Sequence, residues 1–531
     1  MVGAGTAGCV VADRLSSAGF SVLVLEAGPS DRSLAIHIPA GLMKLDPSYD
    51  WRYEGEPDSS RNGLAEPWSA GKVIGGSSSI NGMIWVRGAA DDFNRWAESG
   101  CPGWEYESVL PDFRRMETYT GGGDSRYRGT CGPLFVGPLR IAVPITDRFV
   151  RAATESGHPF NEDYNASTQH GVAYLQVSQR NGLRHSAARA YLASARKRSA
   201  VCVLTNAVVH RVRFDRGRAT GVEFRRGSEI LTAQVNREVI LSAGALASPR
   251  ILMVSGIGPP DQLREHEIDV IADVPGVGAN LQEHPLAPMF YAVTERTLNQ
   301  DVTPLRALGH GLNFVFRRRG ALASPFTTVV VFDRLDQAKP SDDYKIIFAP
   351  FDVSPKGTGS DSATYRHDTN GVKVQKDPGV TIYCGILHPR SRGNVRLRSS
   401  DPEASPRIFH ELLGNDEDLR EMIETCRRTR EIVAAPAMKA VVSAETIPGP
   451  GVQTDQEFEG FLRAQAFKGV HPVGTCRMGS DALSVVDPRL RVRGVEGLRV
   501  VDASVMPTLT AGNTNAPTFL IGEKGSEFIL S

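Results

Sequence analysis

The feature that most constrains this chain is a G-x-G-x-x-G motif formed by Gly3, Gly5 and Gly8. Apolar residues at helical spacing follow the motif, so the pattern predicts a tight turn that leads directly into a helix. Gly3 permits the turn, Gly5 lets the backbone approach a pyrophosphate, and Gly8 lets the helix lie close to a strand. Because the first N–H groups of a helix have no partners within the helix, this turn is suited to binding an anion.

An acidic residue follows the motif at the distance typical of a dinucleotide-binding unit. The apolar run 20–25 predicts a strand, and it ends at Glu26, which lies 18 residues beyond Gly8. A carboxylate at that place can accept hydrogen bonds from an adenosine ribose. The alternative is an ordinary exposed carboxylate after a strand, but the order of turn, helix, strand and acid favours the ribose-binding role.

The first strand of this unit is very short, because only Met1 and Val2 precede Gly3. Either the natural start lies upstream, or the sheet lacks most of its central strand, which would weaken both dinucleotide binding and stability. We favour the upstream start. On that interpretation, the chain as given should hold a dinucleotide poorly.

Length and charge exclude several classes of protein. At roughly 100 to 200 residues per domain, the 531 residues predict two or three packed units. A composition with 41% hydrophobic and 23% charged residues excludes disorder, collagen and coiled coil. Sixty basic residues balance sixty acidic residues, and no long Lys/Arg block stands out, so neither nucleic acid nor anionic lipid is an expected partner.

Cysteine usage and hydropathy suggest the compartment. The seven cysteines lie far apart, without a C-x-x-C pair or a His/Cys cluster at zinc-binding spacing, so we expect no metal site and a reducing environment. No apolar run approaches the roughly 20 residues that cross a bilayer, and the chain does not open with an export signal. We therefore predict a cytoplasmic protein without a transmembrane segment.

The rest of the chain predicts two kinds of sheet. The Gly/Ser-rich stretch 71–90 suits a backbone packed against a flat ligand, with a surface loop as the alternative. Strand-like runs fill 201–241, and alternating β-type runs between about 290 and 400 predict an antiparallel sheet. Residues 416–434 predict one amphipathic helix.

Taken together, these motifs resemble the glucose-methanol-choline (GMC) family of flavoprotein oxidoreductases over nearly the whole chain. Any one motif could arise by chance, but four of them occur in the family's order. They are the opening glycine motif with Glu26, Gly71-Lys72-Val73-Ile74-Gly75-Gly76-Ser77-Ser78-Ser79-Ile80-Asn81-Gly82, Gly244-Ala245-Leu246-Ala247-Ser248-Pro249 leading into Ser255-Gly256-Ile257-Gly258, and His471-Pro472-Val473-Gly474-Thr475-Cys476-Arg477-Met478-Gly479 with Gly512-Asn513-Thr514-Asn515-Ala516-Pro517.

The resemblance implies an α/β fold with FAD as cofactor. We expect a Rossmann-like, doubly wound FAD-binding domain and a discontinuous second domain built on an antiparallel sheet (α+β). The expected segments are 1–290 for the main part of the FAD-binding domain, 291–463 for the substrate-binding domain, and 464–531 for the return to the FAD-binding domain.

The resemblance also assigns site residues. His471 takes the place of the family's catalytic histidine, and Asn515 that of the second catalytic residue, which is His or Asn in different members. The positions expected to bind the cofactor are Gly3, Gly5, Gly8, Glu26, Gly75, Gly76, Asn81, Gly82, Val208, Asp502 and Ala503.

Two departures from the family pattern bear on how FAD is attached and on which substrate is expected. Some members attach FAD covalently through a histidine in the Gly-Gly-Ser-Ser stretch, where this chain has Ile80, so we predict non-covalent FAD. Choline-specific members place a Glu in the segment that aligns with 326–328. Thr327 stands there instead and cannot balance a quaternary ammonium, so choline is not the expected substrate.

The residue types suit alcohol oxidation. An imidazole titrates near neutrality, and a positioned general base contributes about 10² to 10⁴ in rate. His471 would take the hydroxyl proton while a hydride passes to flavin N5, and the Asn515 amide would stabilise the substrate oxygen. Asn515 also suits a helix N-cap before Pro517, and both roles are compatible. The positive end of that helix would favour an anionic reduced flavin.

The predicted function is FAD-dependent oxidation of a primary or secondary alcohol, with oxygen or a quinone-like carrier as acceptor. Two alternatives stay open at this point. One is a flavin-containing lyase that cleaves cyanohydrins without using the redox state of FAD. The other is a non-catalytic relative that holds little FAD.

Overall fold

The structure is a computed structural model that describes residues 1–301, 304–353 and 375–531. The α-helices of the described ranges are α1 Thr6–Ser17, α2 Leu34–His37, α3 Ala90–Glu98, α4 Tyr106–Met116, α5 Pro144–Glu155, α6 Ala193–Ala195, α7 Ser248–Val254, α8 Pro260–Glu265, α9 Pro304–Arg317, α10 Asp416–Ala434, α11 Pro436–Lys439, α12 Asp455–Gln465 and α13 Asn515–Leu530.

The strands of the described ranges are of very different lengths. They are β1 Val22–Leu25, β2 Glu117–Tyr119, β3 Leu134–Pro138, β4 Gly171–Tyr174, β5 Gln176–Val177, β6 Gln179–Arg180, β7 Leu183–Arg184, β8 Val201–Leu204, β9 Ala207–Asp215, β10 Arg218–Arg226, β11 Glu229–Gln234, β12 Val239–Leu241, β13 Ile257–Gly258, β14 Ala272–Asp273, β15 Pro285–Val293, β16 Val329–Asp333, β17 Tyr344–Ala349, β18 Gly379–Ile386, β19 Asn394–Arg396, β20 Arg407–Phe409, β21 Val442–Ile447, β22 Phe467–Lys468 and β23 Leu498–Val500. The longest of these strands are β9, β10 and β15 with nine residues each.

A parallel sheet forms the centre of the first unit. β1 pairs with β8, and β12 pairs with β23. Val2 joins the two pairs, because it bridges in parallel to Leu25 on one side and Leu241 on the other. The short first strand is therefore present and paired on both sides: the Val2 N–H donates to the Ile240 carbonyl at 2.9 Å, and the Met1 carbonyl accepts from the Leu25 N–H at 2.9 Å.

Two buried helices cover this parallel sheet. α1 is buried on nearly all sides, as expected of a helix enclosed by the sheet and other helices. α13 packs against it, and Gly522 allows the close approach, because a Cβ there would lie 2.8 Å from the Val10 Cβ. The C-terminal helix α13 thus lies against the first helix of the chain.

The antiparallel sheet predicted from the second half is also present. Within the described ranges it has seven strands in the order β21-β15-β18-β17-β16-β4, with β22 paired to β15. Helix α10 has the predicted bounds and packs against β18, with its apolar side chains buried. The edge strand β4 and the packed helix α5 come from the segment that the sequence assigns to the FAD-binding domain, so the domain boundaries stay a prediction.

Candidate active site

A cavity opens at the carboxyl ends of the parallel strands. Gly3 and Gly5 follow the Val2 strand, Glu26 follows β1, Gly244 follows β12, and Asp502 follows β23, and all five line the cavity. The carboxyl edge of a parallel sheet is where doubly wound folds bind dinucleotides. The position of the cavity is therefore the one expected for an elongated cofactor that contains phosphate.

Most of the predicted cofactor-binding residues meet at this cavity. The nine that line it are Gly3, Gly5, Glu26, Gly76, Asn81, Gly82, Val208, Asp502 and Ala503. The other two, Gly8 and Gly75, lie behind the residues that line the cavity. A Cβ on Gly8 would lie 2.2 Å from the Gly3 carbonyl oxygen, and a Cβ on Gly75 would lie 2.2 Å from the Ser79 hydroxyl oxygen. These two glycines allow close packing of the cavity wall.

Three glycines expose their backbone to the open space of the cavity. Among the described residues, a Cβ on Gly82 or Gly244 would meet no atom within 4 Å, and one on Gly5 would meet only the Ser242 carbonyl oxygen at 3.7 Å. Gly76 has a positive φ of 53°, and a Cβ there would lie 2.7 Å from the Gly5 Cα. Bare backbone at these places lets a flat, anionic ligand approach closely, so the cavity fits FAD.

Glu26 is held by the backbone on both sides of its strand end. Its two carboxylate oxygens accept hydrogen bonds from the Ala4 and Gly28 N–H groups, each at 2.8 Å. Burial raises the pKa of Glu26 to about 7, and the two N–H groups oppose that rise. The side chain borders the cavity with lone pairs still available to ribose hydroxyl groups.

Asp502 connects two strand ends. One carboxylate oxygen accepts from the Gly244 N–H at 2.9 Å and from the Ser248 hydroxyl at 2.6 Å, and the other accepts from the Ser504 N–H at 2.9 Å. The carboxylate therefore fixes the loop after β12 against the loop after β23. Ala503, beside it, lines the cavity.

A buried arginine supports Asn81. The Asn81 side-chain oxygen accepts hydrogen bonds from the Met83 N–H at 2.9 Å and from an Arg184 guanidinium nitrogen at 2.8 Å. Arg184 also donates to the Ile36 carbonyl at 2.9 Å, and burial lowers its pKa to about 9. The arginine orients the Asn81 amide, a role that the sequence did not suggest.

The histidine of the C-terminal motif contacts Asn513 in this cavity. Asn513 Nδ2 lies 2.8 Å from His471 Nε2, whereas the Asn515 side-chain oxygen accepts from the Thr6 hydroxyl at 3.0 Å. All three C-terminal residues line the cavity. The structure therefore brings His471 together with Asn513, while Asn515 connects the start of α13 to α1.

A second histidine lies behind His471. The two Nδ1 atoms of His284 and His471 are 2.9 Å apart, and His284 Nε2 lies 3.0 Å from the Leu387 carbonyl oxygen. A carbonyl oxygen only accepts, so His284 Nε2 carries a proton. Burial lowers the pKa of His284 well below its usual value, so the ring is neutral and its Nδ1 accepts.

This arrangement fixes the proton positions of His471. Because His284 Nδ1 accepts, the proton between the rings belongs to His471 Nδ1. In the neutral His471 ring, Nε2 is then the acceptor, and it receives the hydrogen bond from Asn513 Nδ2. The nitrogen that faces the cavity-lining amide is therefore the basic one.

The backbone at His471 is held by Glu283. The His471 N–H donates to both carboxylate oxygens of Glu283 at 2.8 Å, and the preceding Val470 has a positive φ of 62°. That conformation is unfavourable for a β-branched residue, so the hydrogen bonds at Glu283 stabilise a strained backbone. Burial raises the pKa of Glu283 to about 8.

Sequence reasoning missed Asn513, His284 and Glu283 as parts of this site. Asn513 belongs to the same motif as Asn515, so the motif alone could have suggested either amide. Glu283 and His284 lie 188 and 187 residues from His471, and no local spacing connects them.

Comparisons with known proteins identify the family of the chain. Residues 1–286 and 389–522 match two family models, both described as GMC oxidoreductase. The chain is 41% identical over 538 residues to the oxygen-dependent choline dehydrogenase of Rhizobium meliloti (strain 1021), which covers 100% of this chain and 95% of that protein. The crystal structure of pyridoxine 4-oxidase from Mesorbium loti superposes with a TM-score of 0.87 at 29% identity, covering 99% of this chain and 97% of the other.

A fungal aryl-alcohol oxidase superposes with a TM-score of 0.84 at 26% identity, covering 100% of this chain and 98% of the other. These matches confirm the fold class, the family and the enzyme class predicted from the sequence motifs. In the described ranges, no helix combines the length and the apolarity needed to cross a membrane. The chain belongs to the GMC oxidoreductase family and is an FAD-dependent alcohol oxidoreductase.

Proposed function

We propose that this enzyme oxidises a primary or secondary alcohol to an aldehyde or ketone, with His471 as the general base. The observation that carries the proposal is the hydrogen-bonded series from the Leu387 carbonyl through His284 and His471 to Asn513. It presents a basic imidazole nitrogen in the cavity that fits the cofactor. When bound, FAD supplies the acceptor for the hydride of the carbinol carbon.

The proton of the alcohol goes to His471 Nε2. The Nδ1–H of the resulting imidazolium stays hydrogen-bonded to His284, which spreads the new charge into a buried acceptor. Asn513 is within reach of the same nitrogen, so its amide N–H can turn to the substrate oxygen as negative charge develops there. In this proposal Asn513 takes the role that the sequence assigned to Asn515.

FAD binding is proposed to be non-covalent. Ile80 lines the cavity in the stretch where some family members carry the histidine that bonds to the cofactor, and its side chain offers no nucleophile. Acid precipitation of the holoenzyme should release the flavin into the supernatant. Flavin that stays with the precipitated protein would show a covalent bond.

Substrate and acceptor require direct measurement. Anaerobic holoenzyme is mixed with a panel of alcohols, and bleaching of the flavin absorbance reports its reduction. Oxygen or an artificial dye is then added to the reduced enzyme, and the reoxidation rate identifies the preferred acceptor. Bleaching by an alcohol supports the proposal, whereas cleavage of a cyanohydrin without bleaching by any alcohol would favour the lyase alternative.

Choline belongs in that panel because a relative at 41% identity is named a choline dehydrogenase. Thr327, which led us to expect that choline is not the substrate, does not line the cavity. The cavity-lining carboxylates in the described ranges are Glu26, Asp46, Asp50 and Asp502. The expectation against choline stays a prediction, and flavin bleaching by choline would contradict it.

A further inference from the structure

Helix α9 turns an apolar face to solvent. Leu308, Leu312, Val315 and Phe316 recur at the spacing of one helix face, and they are 62%, 51%, 62% and 79% exposed. Surface helices of globular proteins normally bury such a stripe. An apolar cluster this exposed marks a contact surface.

The other side of α9 attaches the helix to the protein. Phe314 is buried, and His310 pairs with Asp301 at 3.2 Å. The Asn313 amide donates to the Arg319 carbonyl at 3.0 Å. Phe314 and His310 therefore lie on the side of the helix that faces the protein, and the apolar stripe lies on the opposite, exposed side.

Three exposed arginines lie at the C-terminal end of this helix, Arg317 as its last residue and Arg318 and Arg319 directly after it. Arg317, Arg318 and Arg319 have no carboxylate within ion-pairing distance among the described residues. Arg140 donates to the Arg318 carbonyl, and the β6–β7 hairpin with the exposed Arg180 contacts the same backbone through Gly182. The fold thus gathers arginines into a local basic surface, although net charge and the short sequence run gave no expectation of one.

We propose that this amphipathic patch, defined as Leu308, Leu312, Val315, Phe316 and Arg317–Arg319, docks the protein on a bilayer surface that contains anionic phospholipid. The apolar side chains would enter the boundary between headgroups and acyl chains. The guanidinium groups would bind the lipid phosphates. Among the described residues these guanidinium groups have no carboxylate partner, although that of Arg318 lies over the Phe314 ring at 5.1 Å. Cations without a carboxylate partner and an exposed apolar helix face are the two features that such a surface recognises.

A second copy of the chain is a less suitable occupant. A two-fold contact through the apolar stripe would use the same surface on both copies, with the three arginines of each at its edge. Like charges that face each other across an interface oppose association. An anionic lipid surface supplies the opposite charge instead.

The patch adjoins the wall of the active-site cavity. The short helix Ala321–Ala323 follows the arginines and packs against Pro39–Lys44, and Leu42 of that segment lines the cavity. Docking would therefore bring the cavity wall near a lipid-soluble electron acceptor. This last step rests on the proposed function, whereas docking itself does not.

Vesicle flotation with the full holoenzyme tests the docking. We expect binding to vesicles of equal parts phosphatidylcholine and phosphatidylglycerol, weakening with added salt, and little binding to phosphatidylcholine alone. The triple variant Arg317→Gln/Arg318→Gln/Arg319→Gln should bind the anionic vesicles about a hundredfold more weakly. The double variant Leu312→Asp/Phe316→Asp should lose binding to a similar degree.

Matched variants on another surface provide the control. Ile230→Asp changes an exposed apolar side chain on β11, and Arg211→Gln/Arg213→Gln/Arg264→Gln removes three exposed arginines elsewhere. Both should bind vesicles like the parent chain, and all variants should keep their flavin content and thermal unfolding.

Three results would overturn the docking proposal. They are failure of the parent chain to bind anionic vesicles, equal loss of binding in the control variants, and a dimer in light scattering that Leu312→Asp/Phe316→Asp dissociates. If alcohols still bleach the flavin in those cases, the docking proposal fails while the proposed function stands.

Discussion

The two sides of the cavity differ in the groups that form them: main-chain groups form one side, and side chains form the other. On the glycine side, the backbone forms the surface of the cavity: Gly5 and Gly244 follow parallel strands, Gly82 lies in the Gly/Ser-rich stretch, and all three present main chain without a side chain to open space. On the histidine side, side chains form the surface: His284, His471 and Asn513 make a hydrogen-bonded series in which each proton position depends on the next.

This difference predicts how each side responds to substitution. Removing a side chain from the histidine side should change the rate of the reaction and leave the cofactor in place. Adding a methyl group on the glycine side should change cofactor binding or stability and leave the proton chemistry alone.

The largest effect is expected at His471. His471→Ala removes the base, so flavin reduction by a good alcohol substrate should slow by at least about a hundredfold while the bound flavin is retained. Anaerobic stopped-flow absorbance measures the rate, and His266→Ala, outside the cavity, is the control. Reduction at the parent rate would show that His471 is not the base.

The next effect separates the two candidate amides. Asn513→Ala should slow flavin reduction by about a hundredfold, because it removes a donor to the developing alkoxide. Asn515→Ala should change that rate only a few-fold, because the Asn515 side chain accepts from Thr6. The same stopped-flow assay applied to both variants decides the matter, and the reverse order of effects would restore the assignment to Asn515.

His284 is proposed as a positioning residue, and its replacement should have a smaller effect. His284→Gln keeps a donor near the Nε2 position but loses the acceptor for His471 Nδ1, so the rate should fall about thirtyfold, the equivalent of roughly 2 kcal/mol. His284→Asn places its side-chain oxygen near the Nδ1 position and should keep more of the rate.

The pH profile of the reaction distinguishes a His284 that sets the proton positions of His471 from one that only supports the local structure. Without the acceptor at His284, a proton on His471 is less well stabilised, so the acidic limb of the profile of kcat/KM should move to lower pH in His284→Gln and stay in place in His284→Asn. Equal rates and unchanged limbs in both variants would mean that His284 does not set the proton positions.

Much of the glycine side could be predicted from the sequence, because its requirements are local. A motif of a few consecutive residues was enough to predict the positions at which the main chain carries no side chain. The order of turn, helix, strand and acid then predicted Glu26 at the same edge of the sheet as Gly3 and Gly5. The helix 416–434 was predictable for a similar reason, since its apolar spacing alone determines the buried face.

The histidine side could be predicted only in part, because its partners are distant along the chain. His471 belonged to a recognisable motif, but His284 is one of twelve histidines and meets it only in the folded chain. The choice between the two asparagines depended on where α13 begins. Residues two apart near a helix start point in very different directions, and α13 begins at Asn515, which turns that side chain toward Thr6.

The smallest effect is expected on the glycine side, and it tests whether the backbone there has two separate functions. Gly5→Ala adds a methyl group that meets no atom of the described residues closer than 3.7 Å, so the fold should keep its unfolding temperature while flavin affinity falls about tenfold. Gly8→Ala adds a methyl group that would lie 2.2 Å from the Gly3 carbonyl oxygen, so it should cost about 1 to 3 kcal/mol of stability and lower the unfolding temperature by several degrees.

Flavin titration and thermal unfolding of the flavin-free protein measure flavin affinity and stability separately. If Gly5→Ala lowered stability as much as Gly8→Ala did, the open space beside Gly5 would not be the place of the cofactor, and the contrast between the two sides of the cavity would lose its physical basis.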